Sequence, residues 1–198
     1  QVIECKFDHA ENFSEGLAIV KKFGKYGYIN TKGEQIIEYK FDYAKNFSEG
    51  LAIVAKDGRR GYINAKGEQV IECKFDSVGD FSEGFVIVKK DDKYGYINTK
   101  GEQVIECKFD DAEDFSKGLA RVAKDGKWGY INAKGEQIIE CQFDYLYSFS
   151  EGLATVAKDG KWVYINTKGE QAIECEFDYA ENFSEGLAAV KKDGKYGF

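Results

Sequence analysis

The chain repeats one phrase at a fixed spacing, and that spacing restricts its fold more than any other feature. A glutamine opens each copy of the phrase, and the copies lie 34 residues apart at Gln1, Gln35, Gln69, Gln103, Gln137 and Gln171. The 198 residues hold five copies of full length and a shorter sixth: 1–34, 35–68, 69–102, 103–136, 137–170 and 171–198. A fixed period of this size is typical of solenoids, propellers and other repeat arrays. We therefore predict a single repeat domain over residues 1–198.

Three short segments in each copy predict β-strands. In the first copy they read QVIECKF, GLAIVKK and KYGYIN. They are rich in β-branched and aromatic residues, and none is long enough to favour a helix. In QVIECKF the side chains of Ile3, Cys5 and Phe7 alternate with those of Glu4 and Lys6, as on a strand with one buried face. We expect an all-β chain of three-stranded antiparallel meanders, each running GLAIVKK, KYGYIN and then the QVIECKF of the next copy.

The joints between these segments carry specific turn signals. Asp-Gly pairs predict two-residue type I′ hairpins between the second and third segments, because both central residues of that turn need positive φ. They stand at Asp57-Gly58, Asp125-Gly126, Asp159-Gly160 and Asp193-Gly194. A glycine in the NTKGE or NAKGE phrase predicts a second tight reversal with left-handed backbone. These glycines are Gly33, Gly67, Gly101, Gly135 and Gly169.

The longer joint, FDYAENFSEG, predicts a loop folded onto the neighbouring copy, because it carries two phenylalanines such as Phe41 and Phe47. The meanders are apolar on both faces and must be covered on both. We therefore expect them to pack face to face along the chain. In one arrangement residues 1–7 complete the last meander and close a propeller-like ring of six blades. The alternative is an open superhelical β-solenoid, which should show atypical polar copies at its ends. The terminal copies are as regular as the central ones, which favours either the ring or excision from a longer array.

Charge and hydropathy exclude two classes of partner. The net charge of −7 and the pI near 5.0 argue against nucleic-acid binding, which needs an excess of Lys and Arg on one face. No apolar run approaches the ~20 residues of a membrane-spanning helix, so we predict no membrane span.

The residues that usually carry chemistry form no recognisable constellation. Five cysteines, one in every copy except the second, show no CxxC or metal-ligand spacing. We interpret them as small buried thiols in core strands, which favours a reducing compartment such as the bacterial cytoplasm. The single histidine, His9, stands at a position that varies between copies, so we expect it to face solvent. We predict no catalytic residues, no metal, no cofactor and no enzymatic activity.

The phrases KWGYIN, TKGEQVIE and FDYAENFSEGLA, in this order, resemble the bacterial WG-repeat family of tandem β units named for a Trp-Gly pair. The resemblance covers all six copies, and it implies a binding or scaffolding role without catalysis. The Trp-Gly pair itself survives only at Trp128-Gly129. The other copies have Tyr26-Gly27, Arg60-Gly61, Tyr94-Gly95, Trp162-Val163 and Tyr196-Gly197. The prolines that often follow Val-Ile in the family are absent here, so its local backbone at that strand is not expected to carry over.

Differences between the copies indicate where a ligand or partner would bind. They concentrate at the long joint and at the aromatic or arginine position of the third segment, and recognition is usually placed on such loops of a rigid scaffold. The fifth copy stands apart because it gathers aromatic groups where other copies are polar. The candidate surface residues are Tyr26, Arg60, Tyr94, Trp128, Trp162, Tyr196, Tyr145 and Tyr147.

The sequence thus predicts a non-enzymatic repeat scaffold for protein–protein interaction. One alternative is a carbohydrate or cell-surface binding module, because Tyr and Trp faces stack on sugar rings and one aromatic per copy would give multivalent avidity. A second alternative is a structural spacer or self-assembling element. The expected partner is accordingly a protein or a glycan.

Overall fold

The computed structural model describes residues 3–198, and their regular structure consists entirely of β-strands. The strands form six antiparallel sheets in which chain neighbours pair with one another. The all-β prediction and the six-fold repetition are therefore confirmed. Within the described part of the chain there is no helix of the length and hydropathy that crossing a membrane requires.

The sheets follow one another along the chain. The first contains β1 (His9–Ala10), β2 (Leu17–Lys22), β3 (Lys25–Asn30) and β4 (Gln35–Phe41). The second contains β5 (Tyr43–Ala44), β6 (Leu51–Lys56), β7 (Arg59–Asn64) and β8 (Gln69–Phe75). The third contains β9 (Ser77–Val78), β10 (Phe85–Lys90), β11 (Lys93–Asn98) and β12 (Gln103–Phe109). The fourth contains β13 (Asp111–Ala112), β14 (Leu119–Lys124), β15 (Lys127–Asn132) and β16 (Gln137–Phe143). The fifth contains β17 (Tyr145–Leu146), β18 (Leu153–Lys158) and β19 (Lys161–Asn166), and the sixth β20 (Tyr179–Ala180), β21 (Val190–Lys192) and β22 (Lys195–Gly197).

The chain divides into two compact units. Unit one comprises the described residues up to Phe81 together with Val86–Asp92 and Tyr96–Gln103. Unit two comprises Ser82–Phe85, Lys93–Gly95 and Val104–Phe198.

Each sheet contains the predicted meander and one further short strand. The long joint contributes two residues that pair with the next strand, as Tyr145 with Ala157 and Leu146 with Val156 in the fifth sheet. The sequence predicted this joint as a loop, because two residues are too few to show the alternation of a strand.

The predicted turns are confirmed by their backbone angles. Asp57 and Gly58 have φ of 52° and 75°, and the other three Asp-Gly pairs have the same positive values within a few degrees. Gly135 has a φ of 77°, and its four counterparts in the NTKGE or NAKGE phrase are also left-handed. A third reversal was not anticipated. In the FSEG phrase, Glu49 and Gly50 both have positive φ, so this phrase is a two-residue turn as well.

Successive sheets pack face to face within each unit, as predicted. In unit one, Ile19 and Tyr28 of the first sheet share a core with Val54 of the second. The joint phenylalanines Phe41 and Phe47 belong to this core and are 4% and 3% exposed. The opposite face of the first sheet is buried too. Burial on both faces is what the doubly apolar strands require.

In unit two, the fourth and fifth sheets share a core that includes Tyr130, Phe143 and Val156. The fifth and sixth sheets share another, in which Tyr164 contacts Ala180 and Ala188. Full burial of side chains of this size stabilises a fold by about 1.5–3 kcal/mol each.

Polar side chains join each copy to the next at a spacing of 17 residues. A lysine or arginine at the hairpin donates to the aspartate of the following joint: Lys25 to Asp42, Arg59 to Asp76, Lys93 to Asp110, Lys127 to Asp144 and Lys161 to Asp178. The tyrosine hydroxyl of the third segment donates to a joint carbonyl, as Tyr28 does to Lys45 at 2.7 Å. The repeated polar residues therefore serve the fold.

Two predicted strands are wrong. Residues 3–7 form no strand, and Gln1 and Val2, which belong to the same prediction, lie outside the described residues. Residues 171–177 in the sixth copy also form no strand. They keep isolated pairings, Ile165 with Gln171 and Trp162 with Phe177, and a hydrogen bond from the Ala172 amide to the Tyr164 carbonyl. The fifth and sixth sheets therefore have three strands each, and residues 3–7 do not supply the strand that was expected to close a ring.

A glycine explains why the last strand of the fourth sheet forms and that of the fifth does not. Opposite Gly129 the register of β16 shifts, so its backbone bulges toward the glycine. A Cβ at Gly129 would lie 2.4 Å from the carbonyl oxygen of Ile139 and 2.8 Å from the amide nitrogen of Cys141, which is closer than atoms can approach. The fifth sheet has Val163 at this position. Its Cβ excludes the same approach, and the segment that should pair there is displaced.

The cysteines are less buried than predicted. Cys5 is exposed, and Cys73, Cys107, Cys141 and Cys175 are partly buried; none of the five forms a disulfide. Along β16, Ile139 and Phe143 are buried, whereas Cys141 between them is only partly buried. Burial raises the pKa of the Cys141 thiol. A hydrogen bond from Gln137 lowers it and so opposes part of this effect.

Candidate functional site

Six of the predicted surface residues occupy one structural position. Tyr26, Arg60, Tyr94, Trp128, Trp162 and Tyr196 are each the second residue of a third-segment strand. In the fifth sheet this position pairs through Ala157 with the first residue of the joint strand, so Trp162, Ala157 and Tyr145 share one face. The position therefore marks a surface where a strand and a joint residue meet.

In the first, second and sixth copies this surface combines an aromatic ring with a cation. The Lys21 ammonium lies 4.9 Å from the ring centroid of Tyr26, and the Arg60 guanidinium lies 5.6 Å from that of Tyr43. Lys191 lies 5.4 Å from the ring of Tyr196, which is 73% exposed. These are cation–π distances, so the cation in each case covers part of a ring. Tyr94 in the third copy is partly buried.

In the fourth copy the aromatic is covered by an arginine. The guanidinium of Arg121 lies 5.8 Å from the ring centroid of Trp128. Arg121 also forms an ion pair with Glu113 and donates to the carbonyl of Leu146. Trp128, the residue of the single Trp-Gly pair, is therefore held in a polar network.

In the fifth copy the aromatic is surrounded by other aromatic rings. Tyr145 and Tyr147 stack on Trp162 with centroid distances of 6.0 and 5.8 Å and interplanar angles of 12° and 20°. Tyr179 contacts Trp162 edge-on at 5.6 Å. Tyr145, Tyr147 and Tyr179 are 62%, 41% and 37% exposed. We call Tyr145, Tyr147, Trp162 and Tyr179 the aromatic cluster.

The backbone that carries the cluster is fixed by buried groups. The Tyr147 amide donates to the Thr155 carbonyl at 2.9 Å, and the Tyr130 hydroxyl donates to the Tyr147 carbonyl at 2.9 Å. Leu146, between the two tyrosines, is 4% exposed. Burial raises the pKa of Tyr130 to about 12, so its hydroxyl stays a donor at any physiological pH. The rings are thus presented on a preorganised support, which lowers the entropy lost on binding.

The structure brings together three of the eight predicted residues, Tyr145, Tyr147 and Trp162. The sequence interpretation missed two participants, Tyr179 and Arg121. A signal for Tyr179 existed, because it lies 17 residues after Trp162, as Tyr145 lies 17 before, and 17 is the spacing at which neighbouring copies touch. Arg121 replaces an apolar residue at a strand position and could have been singled out for that reason. His9 is exposed, as expected.

Over residues 3–198 no group of three or more His, Cys, Asp or Glu side chains is placed to hold an ion.

Six consecutive matches to the family model described as "WG containing repeat" cover the chain, at residues 1–26, 26–59, 61–94, 94–128, 128–162 and 164–196. The chain belongs to the WG-repeat family. Between successive matches only Arg60 and Val163 are left out, and these are the two positions where the aromatic or the glycine of the motif is replaced.

No curated protein matches the chain. Among solved structures, Hsv2p of Kluyveromyces lactis is similar at 14% identity with a TM-score of 0.44, over 94% of this chain and 71% of that one. A eukaryotic initiation factor is similar at 14% identity with a TM-score of 0.47, over 90% of this chain and 58% of that one. The extracellular domain of BT4673 from B. thetaiotaomicron is similar at 13% identity with a TM-score of 0.36, over 99% of this chain and 34% of that one. TM-scores below 0.5 do not establish a shared fold, so these similarities carry no argument about function.

Proposed function

We propose that the chain is a non-enzymatic repeat scaffold and that its aromatic cluster binds a protein partner. The observation that carries the proposal is the exposure of three tyrosines around Trp162 on a fixed backbone. Aromatic side chains are enriched at protein interfaces and dominate their binding energy. The net charge of −7 favours a partner with a basic rim around an apolar contact.

The experiment compares the wild-type chain with a variant that carries the fourth copy's residues in the cluster, Tyr145→Asp and Tyr147→Glu. Asp111 and Glu113 occupy these positions in the fourth copy, so the substitutions suit the fold. Both proteins are used as bait in extracts of the source cells, and a captured protein is then purified and titrated against each bait. We expect the affinity to fall at least about tenfold, as is usual when an interface anchor is removed.

A matched control is Tyr43→Ser, which introduces the residue of the third copy, Ser77, at the joint position of unit one. This variant should keep the partner. Equal affinity of the wild-type chain and the double variant would show that the cluster is not the contact surface.

A second function, carbohydrate binding, is supported by the same exposed rings, because sugar rings stack on tyrosine and tryptophan faces. A glycan array tests it, and signals no higher than background would contradict it. The third predicted function, a spacer or self-assembling element, would show concentration-dependent oligomers in sedimentation and no ligand.

We also propose that the chain is a single domain. Its copies are arranged either as a ring or as an open superhelix. Residues 3–7 do not form the closing strand. A ring would therefore have to close through other contacts. Small-angle scattering tests the arrangement, because an extended array has a larger radius of gyration than a ring of the same length.

A further inference from the structure

Unit two contains a pocket of about 180 Å³ beside the arginine that covers Trp128. Its lining includes the Arg121–Glu113 ion pair, the hydroxyls of Ser116, Ser148 and Thr167, and the ring of Phe149. We propose that this Arg121 pocket binds one ring of an uncharged polyhydroxylated ligand, that is, a monosaccharide unit. The proposal goes beyond the protein contact assigned to the aromatic cluster and does not depend on it.

The ion pair supplies a donor and an acceptor side by side. Arg121 Nε donates to Glu113 Oε2 at 2.8 Å, and Nη2 donates to the same carboxylate. Nη1 donates to the Leu146 carbonyl. A guanidinium has five N–H groups, so these bonds leave at least one for a ligand. Neighbouring hydroxyls of a sugar can accept from the guanidinium and donate to the carboxylate, since each hydroxyl does both.

The charge of the pocket favours a neutral ligand. Glu113 and Asp114 balance Arg121 and Lys117, all of which line it. An anionic ligand would have to displace the Glu113 carboxylate from a side chain that is only 19% exposed. A cationic ligand would face the same ion pair, in which Arg121 already neutralises the Glu113 carboxylate. The three hydroxyl side chains offer directional hydrogen bonds without charge, which suits a polyol.

The apolar part of the pocket matches the C–H face of a sugar ring. The rings of Phe149 and Tyr130 lie 4.9 Å apart between centroids at 36°. Tyr130 is 3% exposed and its hydroxyl is engaged with the Tyr147 carbonyl, so it supports Phe149, whose ring supplies the apolar contact. An apolar floor with a few fixed polar groups is the usual composition of a small-molecule site.

The pocket lies where a hydrogen bond between neighbouring copies is missing. In three copies the FSEG serine or its equivalent donates to a phenylalanine carbonyl of the next copy: Ser14 to Phe47, Ser82 to Phe115 and Ser150 to Phe183. Within residues 3–198, neither Ser48 nor Ser116 makes this bond. Both of these serines line pockets, Ser116 in unit two and Ser48 in unit one. The unbonded serine therefore coincides with a pocket in each unit.

The unit-one pocket is a natural control. It is built from the equivalent residues 68 positions earlier and has a volume of about 110 Å³. Ile53 stands where unit two has Arg121, and Lys45 stands where it has Glu113. Lys45 instead reaches Asp80 across 3.6 Å. Because this pocket has a looser lysine–aspartate pair and lacks the guanidinium–carboxylate pair of Arg121 and Glu113, we expect it not to bind a sugar.

The test measures saturation-transfer NMR and titration calorimetry with D-glucose, D-galactose, D-mannose and N-acetyl-D-glucosamine at millimolar concentration. We expect at least one of these sugars to bind the wild-type chain. The double substitution Arg121→Ile with Glu113→Lys introduces the unit-one residues at these two positions, which removes the guanidinium–carboxylate pair, and should abolish binding. Ser116→Ala should weaken it about fivefold, the effect of one lost hydrogen bond. The matched change Ser48→Ala should leave it unchanged.

Four results would overturn the proposal. They are no signal with any of the four sugars, unchanged binding by the double variant, equal effects of Ser116→Ala and Ser48→Ala, and loss of binding only in Tyr145→Asp. The last result would place the sugar on the aromatic cluster instead. Thermal melting of each variant confirms that it is folded, and the serine pair keeps the test decisive if the double variant does not fold. Failure of the sugar proposal leaves the protein-contact proposal intact, because that proposal is tested by the affinity for a captured protein and not by sugar binding.

Discussion

The fourth and fifth sheets share almost the same sequence, but only the fourth forms its last strand. β16 pairs with β15 and buries Ile139, which is 3% exposed. The corresponding residues 171–177 after β19 form no strand, and their Ile173 is only partly buried. The glycine of the Trp-Gly pair is kept in the fourth sheet as Gly129 and replaced by Val163 in the fifth.

The difference shows which residue of the Trp-Gly pair the fold requires. The aromatic at this site is replaced by arginine in the second copy, and the strand after it still forms, as β8. The glycine lies where a neighbouring backbone comes within 2.4 Å of a Cβ position, so a side chain there has no room. The glycine is therefore structural, whereas the aromatic position can change without loss of the following strand.

The largest expected effect comes from Gly129→Val, which should make the fourth sheet like the fifth. The new side chain cannot fit beside the Ile139 carbonyl, so β16 must detach and expose its buried residues. We expect a loss of about 3 kcal/mol or more in the free energy of unfolding. Urea denaturation measures the loss, and hydrogen exchange of the β16 amides should become faster. The matched control is Gly197→Val, since nothing lies within 4 Å of a Cβ at that glycine. Equal losses in the two variants would contradict the close-approach explanation.

The next largest effect is the stability lost when Ile139 of β16 is replaced, compared with replacement of Ile173 in residues 171–177. Ile139 is buried and its side chain lies 3.2 Å from a Cβ position at Gly169, which follows β19 of the fifth sheet. Ile139→Ala should cost about 2–4 kcal/mol. Ile173→Ala should cost about half of that or less, because Ile173 is partly exposed already. Denaturation of both variants in urea checks the ratio, and a larger cost for Ile173 would mean that residues 171–177 are packed as tightly as β16.

Val163→Gly should restore the missing strand of the fifth sheet. Amides within residues 173–176 should exchange more slowly, because they gain partners on β19. The free energy of unfolding should change by less than about 1 kcal/mol, since the entropy cost of a glycine within a strand offsets the new pairing. Val163→Ala is the control, because it keeps the Cβ and should leave exchange unchanged. Slower exchange in Val163→Ala would show that the bulk of the valine, and not its Cβ, displaces the segment.

Local sequence signals predicted most of the fold. The hairpin at Asp57-Gly58 follows from the positive φ that its type demands, and the burial of Ile139 follows from strand alternation. The strand β5 was missed because two residues carry no periodic signal. The displaced segment after β19 was missed for a different reason. Its cause is Val163, which acts through a contact with residues eight or more positions later and shows only in three dimensions.

The candidate site was partly predictable. Comparing copies identified Tyr145, Tyr147 and Trp162, because they are aromatic where other copies are polar or carry a smaller group. It did not reveal Tyr179, since a tyrosine is common at that joint position and its contact with Trp162 depends on how the fifth and sixth sheets pack. The Arg121 pocket was also missed, because its residues come from joints and strands of two copies.

The smallest expected effect concerns the stability of the protein in acid, to which Asp144 and Asp178 contribute by accepting from the hairpin lysines Lys127 and Lys161. The hydrogen bond from Lys127, and after it that from the Asp159 amide, hold the pKa of Asp144 below its ordinary value. The hydrogen bond from Lys161 does the same for the pKa of Asp178. A carboxyl group with a lowered pKa in the folded state stabilises the protein above its unfolded pKa of about 3.9, and this contribution is lost as the pH falls through the lower folded value.

Both carboxylates should therefore titrate below the ordinary range in an NMR pH series, and the chain should become less stable in that acidic window. The bond to Asp178 persists although residues 171–177 are displaced, because Phe177 still pairs with Trp162. If Asp178 titrates at the ordinary value while Asp144 does not, the displacement caused by Val163 extends past Phe177 and loosens the joint that carries Tyr179.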